Sequence, residues 1–415
     1  MKRGLSLLFA LAAIALPGAA SPGSNKGAHT VLAILVTWGP RPYTPDDLRR
    51  QLFTDADAFV RDSSFGQTWL RGDVTPWLAI KQFDDCDAVT LSDMNLTAQN
   101  AARDAGWDLT NYSNYVFAFP APRACDKLGF GAGNTVFLFG RPQTQTIEHE
   151  LGHTFGLNHA WALACATCRP VEYADPYDAM GGYAGGQYNA LEKALAGWLP
   201  NASTVTANGD YAIDELERPS AQPQALVIET ARNEYWLDHR EPVLEDATLP
   251  DAIMGGVELH ANPSPDDTTG TSPYQPGDVL IRNPTGSGAD VIRPGESWGE
   301  RGAFSLTVLD HVGTHVDVRF RWTDTTRPGR PPVYSPAGVI RTKLDIEWGR
   351  APETGSGLAS YAVLLDGKLR GSLHADAPRQ LLLPKPKRGA HVVAVVAVDR
   401  AGNRSRPGLS RIRVR

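Results

Sequence analysis

The sequence predicts an α+β domain built around a metal-binding helix, followed by two β-sandwich domains. Three observations carry this expectation. Residues 149–159 read H-E-x-x-H-x-x-G-x-x-H, within a stretch where apolar strand-length runs alternate with helical periodicity. Residues 201–323 change to short alternating runs, such as Ala225-Leu226-Val227-Ile228, separated by Gly, Pro, Asn and Asp clusters. A Pro/Arg/Thr-rich segment at 324–336 then reads as a linker to a third strand-patterned unit, 337–415.

Taken in chain order, residues 1–20 have the form of a secretory signal peptide. Lys2 and Arg3 are followed by an apolar run from Leu5 to Leu16 and by small residues ending at Ala20. Residues 21–29 form a short flexible leader. Val31–Trp38 has the length of a buried strand. Pro45-Asp46-Asp47, with Thr44 as N-cap, opens a helix whose Leu48, Leu52, Phe53, Ala56 and Phe59 make a buried stripe. Further strand is expected over Trp69–Ile80, a helix near Asp93–Ala105, and strand at Tyr115–Phe119. Gly129–Gly133 reads as a glycine-rich loop, and no Lys-Ser or Lys-Thr follows to make it a phosphate cradle. Thr135–Phe139 is a short apolar strand just before the motif, expected either as core or as the edge of a substrate cleft.

On a helix, His149 and His153 are four residues apart and share a face, so both can bind one metal ion. Glu150 lies beside that ion and is placed to take a proton from the water it activates. Gly156 can adopt a positive φ, end the helix and turn the chain so that His159 returns as third ligand. Three nitrogens with one open position describe a catalytic zinc site rather than a closed structural one. The chain has ten histidines, and three of them within eleven residues at these offsets make a chance amphipathic pattern remote.

The four cysteines, Cys86, Cys125, Cys165 and Cys168, suit disulfides in an exported chain. Of the three possible pairings, Cys86–Cys125 with Cys165–Cys168 is the expected one; the C-x-x-C pair could alternatively serve redox or zinc binding. Charge excludes other classes. The net charge is −6, and removing Lys2 and Arg3 leaves 38 basic against 46 acidic residues, or −8. This gives no electrostatic basis for binding nucleic acid or an anionic membrane. After signal cleavage no apolar run is long enough to span a bilayer, and a monomer is expected. His239, His260, His311 and His315 read as ordinary polar or packing histidines, because the pattern around them is strand. Asp266 and Asp267 lie in a polar loop, Pro263–Pro276, that lacks the spacing of a known calcium loop, so calcium there is possible but unsupported.

The extended motif resembles the metzincin zinc peptidases, and Asp178-Ala179-Met180-Gly181 resembles their methionine turn. Ala160 after the third histidine, Tyr177–Gly181, Tyr188-Asn189-Ala190 and Gly197-Trp198-Leu199 together are similar to the gametolysin family. The resemblance covers roughly residues 30–320 and is strongest over 134–200. It implies a catalytic domain at 30–200 with a twisted mixed sheet, an edge strand pairing with extended substrate, and Met180 beneath the site without ligating zinc. Asp178 is expected to hold the turn through backbone hydrogen bonds. A tyrosine two residues past the methionine is replaced here by Gly182, with Tyr183 one further. In the last unit, Ala397–Ser405 resembles fibronectin type III-like modules. The expectation is a secreted zinc endopeptidase acting on protein or peptide. Its alternatives are a zinc amidase on non-peptide substrates and an exported adhesin or matrix-binding protein.

Overall fold

Residues Val31–Val36 are fully buried without a break, which a strand achieves only when both faces of its sheet are covered. In the computed structural model they form the centre of β1 (Gly27–Thr37). The structure describes residues 25–164, 168–182, 185–264, 272–274, 277–334, 339–340 and 343–415. The expected signal peptide, residues 21–24 of the leader, Cys165, Tyr183, Asp266 and Asp267 lie outside the described residues. The leader's last residues are not a flexible segment, since residues 27–29 open β1 and pair with residues 68–70 of the neighbouring strand.

One face of β1 (Val31, Ala33, Leu35) packs on α1 (Pro45–Arg50) and α2 (Ala56–Ser63), which a π-turn at Gln51–Asp55 joins into one helical run. Thr44 caps it in a reciprocal box with Asp47. The other face (Leu32, Ile34, Val36) packs on α3 (Ala88–Asp104). That helix starts five residues earlier than the periodicity suggests, because Asp87 accepts from Thr90 N at 2.7 Å. The sheet adds β2 (Thr68–Val74), β3 (Leu78–Ala79), β4 (Asn114–Phe119), β5 (Gly129–Ala132) and β6 (Thr135–Phe139). Its order is β2-β1-β4-β6-β5, with β3 beside the end of β1. The pairings are parallel except for antiparallel β5–β6, so the sheet is mixed.

The sequence expectation for the edge needs correction. Thr135–Phe139 is buried along its whole length between β4 and β5 and is a core strand. The edge is β5, the run read as a loop for its glycines. Those glycines are there because β5 crosses α4 (Thr144–Thr154), the helix that carries His149 and His153, at very short range. A Cβ at Gly131 would lie 2.2 Å from the Glu150 carbonyl oxygen, and one at Gly129 would lie 2.6 Å from the Glu150 carboxylate.

After α4 come β7 (Trp161–Leu163), β8 (Val171–Glu172) and α5 (Ala190–Leu195). The second unit contains β9 (Ala202–Thr204), β10 (Gly209–Asp214), β11 (Ala225–Glu229), β12 (Asn233–Asp238), β13 (Glu258–Pro263), β14 (Val279–Ile281), β15 (Ser297–Trp298), β16 (Phe304–Val312) and β17 (His315–Trp322). A four-stranded sheet, β10-β17-β16-β15, faces a seven-stranded one, β8-β7-β14-β13-β12-β11-β9. Ile213, Val308 and Phe320 from the first share a core with Leu226, Tyr235 and Leu259 from the second, which makes a β-sandwich. The seven-stranded sheet crosses the boundary expected at 200/201: β7, directly after His159, pairs in parallel with β14. The segment that follows the motif is thereby tied to the sheet of the second unit.

The last unit is a second sandwich. Leu344, Ile346 and Trp348 of a three-stranded sheet pack on Tyr361, Val363, Val393 and Val395 of a five-stranded one. The segment read as a linker is anchored at both ends: Ser356 N and Oγ donate to Asp324 Oδ2 at 2.9 and 2.8 Å, and Val333–Tyr334 is a strand of the three-stranded sheet. Cys86 and Cys125 form a disulfide that joins the approach to α3 to the loop before β5. Closing its 39-residue separation restricts the unfolded chain by about 4 kcal/mol in the loop-entropy view. Cys168 is also disulfide-bonded. Among the described residues no helix is long and apolar enough to cross a membrane.

Candidate metal centre

Helix α4 carries His149, Glu150 and His153 in its last turns and stops at Thr154. Gly156 takes φ +90°, and Leu157 N returns to Gly152 O at 3.1 Å, which turns the chain toward His159. Immediately beyond, Ala160 N donates to Met180 O (2.9 Å) and Trp161 N to Asp278 O (2.9 Å). The third histidine is therefore held between the methionine turn and the second unit.

The three imidazoles converge. Each offers a nitrogen within 4.8 Å of the other two, and His153 Nε2 lies 3.2 Å from His159 Nε2. Their outward nitrogens are all engaged: His149 Nδ1 with Ala179 O (2.9 Å), His153 Nδ1 with Leu157 O (2.9 Å) and His159 Nδ1 with Glu172 Oε1 (2.7 Å). A carbonyl can only accept, so the hydrogens of His149 and His153 sit on Nδ1 and their Nε2 lone pairs face inward. The Glu172 carboxylate orients His159 in the same sense. Burial, reinforced by the neighbouring histidines, pushes His149 down to about 4 and His153 below its ordinary value, so both rings are neutral at pH 7. Three imidazole nitrogens aimed at one point form a donor set that fits a divalent metal ion.

Glu150 is buried beside them. Burial raises its carboxyl to about 7, partly offset by a hydrogen bond from Gly131 N–H. A carboxylate poised there can both take and return a proton near neutral pH. Met180 is fully buried under the helix; a Cβ on Gly152 would come 2.2 Å from its sulfur, so residue 152 must be glycine for the two to pack. Asp178 accepts from Met180 N (2.6 Å) and Asn189 N (2.6 Å), closing the turn. The site opens into a cleft of about 820 Å³ with β5 along one side and the methionine turn, followed by Gly185 and Gly186, on the other.

Two contributors have no signature in the sequence pattern. Glu172 orients His159, and Tyr173, at φ +58°, lays its ring 4.1 Å from that of His159 with its hydroxyl 3.0 Å from His159 Nε2. A left-handed conformation is strained for an aromatic residue, and here it aims a hydroxyl at the point the nitrogens face. Arg240, fully buried, reaches across from the sandwich. Its Nε donates to Glu258 Oε2 (2.8 Å), and its Nη1 donates to Asp246 Oδ2 (3.1 Å), Gln187 O (3.3 Å) and Tyr177 O (3.4 Å). It thus binds both ends of the segment that carries the methionine turn.

No protein-family profile matches the chain, and no curated protein matches it. Among solved structures, OgpA from Akkermansia muciniphila, in a catalytically inactive form bound to an O-glycopeptide substrate, is similar over 96% of this chain and 96% of its own at 8% identity and a TM-score of 0.25. The fibronectin(III)-like modules of CbhA from Clostridium thermocellum are similar over 20% of this chain and 96% of theirs, at 25% identity and a TM-score of 0.18. The spore cortex lytic enzyme SleM of Clostridium perfringens is similar over 28% of this chain at 16% identity and a TM-score of 0.20, and the match spans 40% of that enzyme. At these scores the likenesses carry no argument about activity.

Proposed function

We propose that this chain is an exported zinc-dependent endopeptidase of metzincin type, with a gametolysin-like catalytic domain. The observation that carries the reading is the convergence of His149, His153 and His159 nitrogens beside a buried carboxylate, in an open cleft bordered by an edge strand. His149, His153 and His159 would hold the ion. When bound, zinc polarises the scissile carbonyl and makes a water molecule acidic enough to lose a proton near neutrality. Glu150 takes that proton and delivers it to the leaving amine. Gly131 N–H keeps the carboxylate oriented while it does so. The Tyr173 hydroxyl stands where it can donate to the oxygen that gains negative charge.

Substrate is held in extended form. The outer backbone groups of β5 have no strand partner among the described residues, and an antiparallel peptide can pair with them. This favours a polypeptide over a small amide, since only the former uses the length of the strand. The test is metal dependence of proteolysis. Protein stripped with a chelator should leave denatured casein intact, and adding zinc should restore cleavage. Cleavage indifferent to the chelator would overturn the assignment.

A further inference from the structure

Away from the cleft, the sandwich brings together a carboxylate and two histidines that the sequence reads as ordinary packing residues. We infer that His239, Glu241 and His311 form a second metal site, holding a zinc-like divalent ion that clamps one sheet of the sandwich to the other. His239 follows β12 in the seven-stranded sheet and is completely buried; His311 lies on β16 in the four-stranded sheet. Their rings are 4.8 Å apart and steeply inclined. Both Nε2 atoms approach the same oxygen, Glu241 Oε1, at 2.9 Å from His239 and 2.7 Å from His311. The three ligand atoms all lie within 4.8 Å of one another.

The orientation of His239 carries the inference. Its Nδ1 lies 2.9 Å from Gly256 O. That carbonyl can only accept, so Nδ1 carries a hydrogen and Nε2 is the ring atom turned toward the Glu241 carboxylate. The contact calls for positive charge, supplied either by a second ring hydrogen or by a metal ion that both groups ligate, and the approach of His311 Nε2 to the same oxygen favours the ion. This is the arrangement of His149 and His153, whose Nδ1 atoms also donate to main-chain carbonyls while Nε2 turns inward. The His311 side chain is 30% exposed, so the cluster is reachable from solvent on that side. Two imidazoles and one carboxylate suit zinc and its first-row neighbours, and suit calcium poorly because calcium takes oxygen ligands.

The other buried histidine of this unit shows the contrast. His260 donates Nε2–H to Asp175 Oδ2 at 2.9 Å, with Glu258 alongside and Arg240 paired to Glu258. Those carboxylates already have cations, so that cluster calls for no ion. At His239 and Glu241 no Lys or Arg partner is present among the described ion pairs. The segment the second ion would clamp, His239–Glu241, includes Arg240, so the site would also steady the guanidinium that braces the methionine turn.

The test is metal content of the full chain, loaded with zinc and freed of excess by gel filtration. The expected values are two zinc per chain for wild type and one each for His311→Ala and His153→Ala. The His153→Ala protein is the sharper measurement, because its remaining zinc occupies an unmutated second site; zinc should raise its melting temperature. No zinc and no shift in His153→Ala would overturn the inference and leave His239 as a doubly protonated partner in an ion pair. Failure at the catalytic centre is distinguishable, since His153→Ala would then bind as much zinc as wild type.

Discussion

Glu150→Gln should retain its zinc and lose hydrolysis by about 10²- to 10⁴-fold in kcat/KM, the usual range for removing a general base. Glutamine keeps the shape of the side chain and an oxygen for Gly131 N–H, so β5 and α4 need not move apart. What it loses is the ability to hold a proton. Glu150 is not among the three convergent ligands, so metal content measured alongside the kinetics should match wild type. Unchanged kcat/KM in a zinc-replete Glu150→Gln protein would remove Glu150 from the mechanism. Its burial and raised pKa would then be a consequence of packing under the edge strand alone.

Arg240→Leu should lower the stability of the chain by about 3–5 kcal/mol, as expected when one partner of a buried ionic group is removed. The variant leaves Glu258 and Asp246 without their cation in a fully buried setting, and strips Tyr177 O and Gln187 O of a donor. Urea unfolding followed by fluorescence measures the loss. Because Tyr177 and Gln187 bracket Met180, the same variant should weaken zinc binding although Arg240 touches no histidine of the site. A stability within 1 kcal/mol of wild type would mean that the sandwich is a passive attachment rather than a wall of the catalytic unit.

The metal motif was readable before any fold because its chemistry is local: ligand, base and hinge all lie within one helix and one turn. Capping residues and unbroken apolar runs likewise placed β1 and α1 closely. What escaped depends on contacts between distant segments. Gly129 and Gly131 look like loop residues until β5 is found lying on Glu150, where any side chain would strike the helix. The division at 200/201 follows a real change in composition, yet β7 and β8 enter the sheet of the following unit, a pairing set by register across more than a hundred residues. Tyr173 reaches the site from a short turn with a strained backbone, and no periodicity announces it. His311 and His315 lie on opposite strands of a hairpin, and His311 meets His239 from the facing sheet, a contact that no local pattern announces.

The most direct test of the central claim is the identity of the products formed by zinc-loaded wild-type protein from a mixed library of unstructured peptides, read by mass spectrometry. Internal cleavage is expected, each cut producing a new carboxyl and a new amino terminus, with none formed by the zinc-free protein. An intact library after prolonged incubation with fully zinc-loaded enzyme would contradict it.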